Sequence, residues 1–509
     1  MLVGLALCCG CRGRGRHEGM QVARVVERSS QDRTRVMVLC LVAQLASNLD
    51  VSMPSTYSGP LFESLAGSRS MSGVWLGLSS VCGIAALPLW VVVSRRSVKC
   101  AFLVHASFMT AGALVTCLAL HIRSVPLLMV GRSISGAKSG FLYVNEMVLY
   151  TVIPMSERGF WMGIQATSCA VAYTSGPAVA STLTTFLSAI SGHVPTAITS
   201  ELVTFLLPVL FGLCEVLLVA QYFPMSLDLP DDIDAIARVH GMAGNRRHTP
   251  SLLGVKVVFC CSVAGVLLRN FVRTAWEAGA LSLYDVFFGM GATSAGFLVS
   301  GIALTSFVGR LAYLRLAASH GDSLDRCIVH WSSLAMLASA TLLLPWPLWV
   351  IGPGPPGTRA WSWVFTIASA FLCIAKAMQA VPGKALATSM VIPNSRLFNK
   401  SGLAICSALS FMAASMAGPS ISRFVLDIGT TQRRELAFPC VLCVACLLNA
   451  VATALTLLSL ELPQNGQAPK DFAQCLSPLS RAAAAIGEAA TPLPLDPATR
   501  KVARMLPSA

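Results

Sequence analysis

Runs of about 20 apolar residues recur along most of this chain, and they constrain its fold more than any other feature. An α-helix of that length crosses the roughly 30 Å hydrocarbon core of a bilayer while pairing all its own backbone groups. The sequence therefore predicts an all-α integral membrane protein with twelve transmembrane helices, near residues 36–56, 73–93, 100–121, 125–149, 162–189, 202–223, 252–283, 286–309, 327–350, 361–382, 401–425 and 438–460.

The charged residues support this class and suggest an orientation. Only 12% of the 509 residues are charged, whereas soluble domains carry about a quarter. Most of the 37 lysines and arginines fall in the two terminal regions and in the connections on one side of the predicted membrane. Basic residues concentrate on the cytoplasmic side of membrane proteins. We therefore predict a multi-pass protein with both termini cytoplasmic, in contact with membrane lipid and without a nucleic-acid partner.

The predicted helices divide six and six around a polar connection. The parts are an N-terminal cytoplasmic arm 1–35, a first half 36–223, a central cytoplasmic loop 224–251, a second half 252–460 and a disordered tail 461–509. Whether the protein starts at Met1 or Met20 is left open. Gly176-Pro177 and Gly418-Pro419 occupy matching places in the fifth and eleventh spans. A Gly-Pro pair removes a helical hydrogen bond and permits a bend. The repeat predicts two pseudo-symmetric six-helix halves.

Two short motifs carry a resemblance to a known family. The fourth span contains LMVGRSISG, with Arg132 and Gly136, and the connection after the second span reads SRRSVK, with Arg95 and Lys99. This arrangement resembles the major facilitator superfamily, although Ser94 stands where that family usually has an acidic residue. The resemblance implies a transporter of twelve helices in which these residues and the two Gly-Pro pairs take part in conformational change.

The first span adds a narrower resemblance. NLDVSMPS, with Asp50 and Pro54, and the acidic Glu277 of the seventh span are similar to the branch of lysosomal ceroid-lipofuscinosis and SPX-domain vacuolar major facilitator proteins. This likeness implies a lysosomal or vacuolar membrane, with the plasma membrane as the alternative.

Charged residues inside the predicted spans mark candidate sites, because a charge at the bilayer centre costs about 2.5–3.5 kcal/mol on insertion scales. Arg269, Arg273 and Glu277 follow one another at intervals of four residues. Such residues drift by only about 40° per step around a helix, so they form one polar stripe. We expect the stripe to face a central cavity and to bind substrate or a coupling ion. The alternative is a set of salt bridges between the halves.

Three further charged residues are predicted to lie near the middle of the membrane, at about the depth of Arg269. Asp50, Arg132 and Lys376 are candidates to meet Arg269 in the same cavity, although Asp50 and Arg132 are equally compatible with a structural ion pair. Weaker candidates are Glu215 and also Lys138, whose spacing places it away from the face of Arg132. A neutral, hydrogen-bonded state is expected for His105.

These observations predict a secondary transporter that moves a small solute by alternating access. The basic residues favour an anion or a zwitterion, and Asp50 or Glu277 is the candidate carrier of a coupling proton. The alternatives are a receptor or scaffold that retains the fold, which the departure at Ser94 motivates, and an anion channel. The sequence contains no nucleotide-binding loop, paired metal motif or nucleophile elbow, so we predict neither an enzyme nor a cofactor or metal.

Overall fold

The computed structural model describes residues 15–66, 70–153, 155–193, 196–224, 252–320, 322–351, 355–389, 400–428 and 431–461. The first 14 residues, almost all of the predicted central loop and the predicted tail beyond residue 461 lie outside the described residues. All regular structure within the described residues is helical.

Six long helices make up the first half. They are α1 Gly15–Ser52, α2 Ser70–Arg96, α3 Val98–His121, α4 in two segments Val125–Ala137 and Leu142–Val152, α5 Met155–Ser191 and α6 Ala197–Tyr222. The 3₁₀ turn Lys138–Phe141 joins the segments of α4, and a short helix Ser58–Ala66 follows α1.

The second half repeats this arrangement. Its helices are α7 Leu252–Ser282, α8 in two segments Ala292–Leu304 and Ser306–His320, α9 Asp322–Leu342, α10 Pro355–Ser389, α11 Lys400–Ile428 and α12 Thr431–Glu461. A π-helical turn Leu283–Phe287 extends α7, and a short helix Trp346–Ile351 follows α9.

Ten helices within the described residues are long and apolar enough to cross a membrane. Of the twelve numbered helices, the two that do not meet this criterion within the described residues are α4 and α5. The 3₁₀ turn divides α4 into segments of 13 and 11 residues, each too short by itself to span. Helix α5 has 37 residues, but its many serines and threonines lower its mean hydropathy. The chain is therefore an integral, multi-pass membrane protein.

Several helix pairs pack in the same way in both halves. Helix α1 packs on α5 as α7 packs on α11, and α3 packs on α4 as α9 packs on α10. The halves meet through α2 against α11 and α5 against α8. Each of these pairs has its counterpart when the helix numbers are shifted by six, so the two halves are pseudo-symmetric.

The matching Gly-Pro pairs lie at matching helix crossings. Gly176 of α5 packs directly on Ser52 of α1, and a Cβ there would also lie 3.0 Å from the backbone nitrogen of Met53. Gly418 of α11 packs on Thr274 of α7, and a Cβ there would lie 2.8 Å from the next backbone nitrogen. Small residues at these two positions let the paired helices approach closely.

The two ends of the bundle differ in how the halves touch. At the end away from the central loop, hereafter the far end, Ser420 Oγ donates to the carbonyl of Gly73 over 3.2 Å and Ser181 Oγ donates to that of Thr293 over 3.2 Å. Arg423 also joins α11 to the carbonyl of Ser55 over 3.4 Å. These hydrogen bonds connect the halves across the far end. The opposite end, near the central loop, is called the loop end below.

Candidate functional site

A central cavity of about 150 Å³ lies between the halves. Residues from α1, α4 and α5 line one side, and residues from α7, α8, α10 and α11 line the other. The packing of α2 on α11 and of α5 on α8 leaves this space between the halves.

The polar stripe of α7 faces this cavity. Arg269, Arg273 and Glu277 all line it. The guanidinium carbon of Arg273 lies 3.7 Å from the centre of the Tyr173 ring, and its Nε is 3.9 Å from Glu277 Oε1. Tyr173 belongs to α5, so this cation–π contact crosses between the halves. Arg273 nevertheless has no hydrogen-bond partner at Nε or Nη2.

Arg269 lies deeper within the second half. It is 8% exposed, and its guanidinium is close to Gly265 of the same helix and to Gly383 of α10. Glycine at both positions leaves room for the planar group. Arg269 forms no ion pair with any of the described residues.

Three more basic residues line the cavity. Lys376 was among the sequence candidates, whereas Arg310 of α8 and Lys384 of α10 were not. Arg310 has no hydrogen-bond partner at Nε or Nη1. The hydropathy pattern ends the eighth span at residue 309, but a second helical segment continues to His320 and keeps Arg310 inside the bundle.

The cavity carries an excess of positive charge. Its five basic residues, Arg269, Arg273, Arg310, Lys376 and Lys384, face two acidic ones, Glu146 and Glu277. Glu146 forms an ion pair with Lys384, which joins α4 to α10 across the halves at the loop end, and it accepts a hydrogen bond from Tyr150 over 2.5 Å. The described lining thus has three uncompensated positive charges.

Asp50 and Arg132 lie outside this cavity, in a separate buried ion cluster. Asp50 Oδ2 forms an ion pair with Lys138, accepts a hydrogen bond from Ser135 over 2.8 Å and lies 3.8 Å from Arg132 Nη1. Arg132 also donates to the Asp50 carbonyl over 3.2 Å. Of the four charges expected to meet in one cavity, only Arg269 and Lys376 do so.

Lys138 meets Asp50 although its backbone position lies away from the face of Arg132. Residues 125–137 are a regular α-helix, so Ser135 lies between Arg132 and Lys138 around the helix, and the two long side chains converge on one carboxylate. The Nζ of Lys138 is 2.9 Å from Ser135 Oγ, on the side that holds Asp50. The sequence also gave no signal for Glu201 of α6, a fully buried carboxylate whose two oxygens lack hydrogen-bond partners.

The architecture matches solved structures. The structure is similar to that of the xylose transporter XylE from E. coli in a partially occluded inward open conformation, with a TM-score of 0.60 and 15% sequence identity, over 86% of this chain and 99% of that chain. It is also similar to a D-xylose–proton symporter, with a TM-score of 0.60 and 15% identity, over 83% of this chain and 97% of that chain.

The chain has the major facilitator fold. The predicted fold class is thereby confirmed. No protein-family model matches the sequence, and no curated protein matches it. A structural likeness at 15% sequence identity establishes the fold but does not identify the solute.

The predicted conformational residues of the first half lie at a helix connection and at a helix crossing. Arg95, exposed, and Lys99 lie at the tight connection between α2 and α3. Ser97 caps α3 by accepting a hydrogen bond from the backbone nitrogen of Cys100 over 2.9 Å. Gly136 of α4 packs on the backbone of Ser79 of α2. The connection SRRSVK, which contains Ser94 where the family usually has an acidic residue, therefore includes a capped helix start at Ser97.

Proposed function

We propose that this protein is a secondary transporter that moves a small anion by alternating access and catalyses no covalent reaction. The observation that carries the proposal is the central cavity with three uncompensated positive charges. In this cavity Arg273 and Arg310 each have two guanidinium nitrogens without a hydrogen-bond partner. The likeness to transporters of this fold supports the transport mechanism. The charges support the choice of solute.

The argument for an anion rests on the cost of unpaired buried donors. An arginine side chain stays protonated, and a buried donor without a partner costs about 1–3 kcal/mol. A carboxylate or phosphate accepts bidentate hydrogen bonds from guanidinium groups and neutralises them. An uncharged sugar would supply hydroxyl groups but leave the three charges uncompensated. A zwitterion is the second candidate, because Glu277 lines the same cavity.

The volume favours a small solute. An apolar cavity of about 150 Å³ holds benzene in an engineered protein, and the central cavity has about that volume. Monocarboxylates, dicarboxylates and inorganic phosphate fit within this limit. Larger solutes would require the halves to move apart.

Alternating access would follow from the contacts between the halves. Hydrogen bonds of Ser420 and Ser181 join the halves at the far end, and the Glu146–Lys384 ion pair joins them at the loop end. Rocking of one half against the other would break one set and keep the other. In the proposed orientation both termini and the loop end are cytoplasmic. The branch resemblance and the choice among lysosomal, vacuolar and plasma membranes stay predictions.

Asp50 and Glu277 are the proposed alternative carriers of a coupling proton. Asp50 Oδ1 is buried without a hydrogen-bond partner, so it can accept a proton while Oδ2 keeps its contacts with Lys138 and Ser135. Glu277 competes with a bound anion for Arg273, so its protonation would free that guanidinium. We favour Asp50, because its cluster changes charge without occupying the solute cavity.

Counterflow in proteoliposomes tests the transport proposal. Purified protein is reconstituted and loaded with unlabelled succinate, lactate, inorganic phosphate or xylose, and entry of the same labelled compound is measured. We expect exchange of at least one anion and none of xylose. Exchange of xylose alone would refute the anion assignment. If no anion is exchanged but planar bilayers show continuous anion conductance, the channel is favoured. If both exchange and conductance are absent, a receptor or scaffold is favoured.

A further inference from the structure

A second, smaller chamber of about 40 Å³ lies beside the central cavity, within the first half and against α11. Gln44 and Tyr173 line both spaces. Four lining residues of the chamber have a buried polar atom without a hydrogen-bond partner, namely Gln44 Oε1, His105 Nε2, Asn145 Oδ1 and Ser415 Oγ. Buried polar atoms of this kind are normally satisfied by water. The chamber has room for about three waters at roughly 10–15 Å³ each.

His105 of α3 connects this chamber to a buried carboxylate. Its Nδ1 lies 2.8 Å and 3.0 Å from the two oxygens of Glu215 of α6. The imidazole packs against Phe141, with ring centres 4.5 Å apart, and near Trp90 at 6.5 Å. Both side chains of the pair are almost fully buried.

The hydrogen-bond geometry assigns the ring nitrogens. A carboxylate only accepts hydrogen bonds, so Nδ1 carries the hydrogen that it shares between the two oxygens of Glu215. Nε2 of the neutral ring then holds a lone pair and belongs to a residue that lines the chamber. One proton taken up at Nε2 converts the pair from a neutral imidazole and a carboxylate into an imidazolium–carboxylate ion pair. Release from the same nitrogen restores the starting state.

The other ionisable groups around the pair come from α1 and α4. Cys40 of α1 and Lys138 of α4 lie close enough to interact electrostatically with Glu215. Lys138 also lines the chamber and forms the ion pair with Asp50. His105 and Lys138, the partner of Asp50, therefore line the same chamber. His105 and Glu215 stand in the parts of α3 and α6 nearest the loop end.

We infer that His105, Glu215 and the side chamber form a proton relay that supplies a proton to Asp50 and takes it back. This inference rests on the proposed function, in which Asp50 carries the coupling proton. Water in the chamber would pass the proton between His105 Nε2 and the Asp50 cluster. Coupling would then depend on a pair of residues that need not touch the solute.

Transport by His105→Gln and Glu215→Gln tests the relay. Glutamine at position 105 can still donate to Glu215 but cannot bind a proton. Wild type and both variants are reconstituted into proteoliposomes. Succinate counterflow is measured without a pH gradient, and succinate uptake is measured with a pH gradient as its driving force. A pH dye trapped inside the vesicles reports proton movement. General acid–base groups contribute 100-fold or more, so we expect proton-driven uptake to fall at least about tenfold while counterflow stays within about twofold. The control is His121→Gln, at the exposed end of the same helix, which should change neither rate.

A measurement without solute keeps the test independent of the transport proposal. The ¹⁵N imidazole resonances of the purified full-length protein are recorded between about pH 5 and pH 8, with His105 assigned by its loss in His105→Gln. The relay predicts that His105 titrates and that Asp50→Asn shifts its midpoint. A His105 signal that does not titrate, or one that Asp50→Asn leaves unchanged, overturns the relay. Equal loss of counterflow and proton-driven uptake also overturns it. If succinate shows no counterflow in wild type, lactate or inorganic phosphate replaces it, and absence of counterflow with every compound tested refutes the transport proposal alone.

Discussion

Replacing Arg310 by glutamine separates a binding role of the cavity from a structural one. Arg310 is 9% exposed and holds unpartnered donors at Nε and Nη1. A hydrogen bond to a charged group contributes about 1.5–3 kcal/mol. A change of about 1.4 kcal/mol is tenfold in Kd. If Arg310 binds the anion, Arg310→Gln should weaken anion binding roughly 10- to 100-fold.

The same substitution should stabilise the protein when no anion is present. It removes a buried charge whose two unpaired donors each cost about 1–3 kcal/mol. Even partial relief of that cost raises the free energy of unfolding by about 1 kcal/mol or more. Binding residues commonly show this opposition between stability and function, whereas removal of a structural ion-pair partner lowers stability.

Thermal unfolding in detergent, with and without succinate, and calorimetric titration measure both effects. Arg310→Gln should unfold at a higher temperature than wild type without anion and should gain less from added anion. Arg315→Gln, exposed on the same helix, is the matched control and should alter neither quantity. Lower stability of Arg310→Gln without anion, together with unchanged affinity, would refute the binding argument.

Three further predictions follow from the packing and the charges. Gly418→Leu should stop counterflow but not membrane insertion, because its crossing with α7 has no room for a side chain. Gly301→Leu, where a Cβ meets nothing within 4 Å, should remain active. Glu146→Gln removes the ion pair with Lys384, and this pair contributes about 1 kcal/mol to the state that is closed at the loop end. The variant should therefore raise the population that is open at the loop end about fivefold. Distances between spin labels on α4 and α10 would measure that population. Accessibility labelling of a cysteine at residue 240 should find it cytoplasmic, and labelling from the other side would contradict the orientation.

The features that the sequence predicted well depend on long stretches of chain. Twelve apolar runs predicted twelve helices, because a bilayer demands a minimum length and internally paired backbone groups. The stripe at Arg269, Arg273 and Glu277 belongs to one regular helix, so its spacing alone sufficed to put the three side chains on one face. The structure places all three at the central cavity.

The features that the sequence did not predict depend on local breaks and on contacts between helices. The long side chain of Lys138 reaches Asp50 of another helix, which the position of Lys138 around its own helix does not reveal. The continuation of α8 beyond Thr305 keeps Arg310 in the bundle. The pairing of His105 with Glu215 joins α3 to α6, and the rotation of each helix about its axis determines it. Hydropathy gives no information on that rotation.

Pairing, rather than depth in the membrane, sorts the buried charges of this protein. Asp50 with Lys138 and Glu146 with Lys384 each combine opposite charges in this structure, so neither pair needs a ligand to neutralise it here. Arg269 and Arg310 line the central cavity, and neither forms an ion pair with a described residue. Burial of unpaired charge disfavours the closed protein until an anion enters. In the proposed transporter the cavity would make closure of the halves depend on the solute, which is the property that a carrier requires and a scaffold does not.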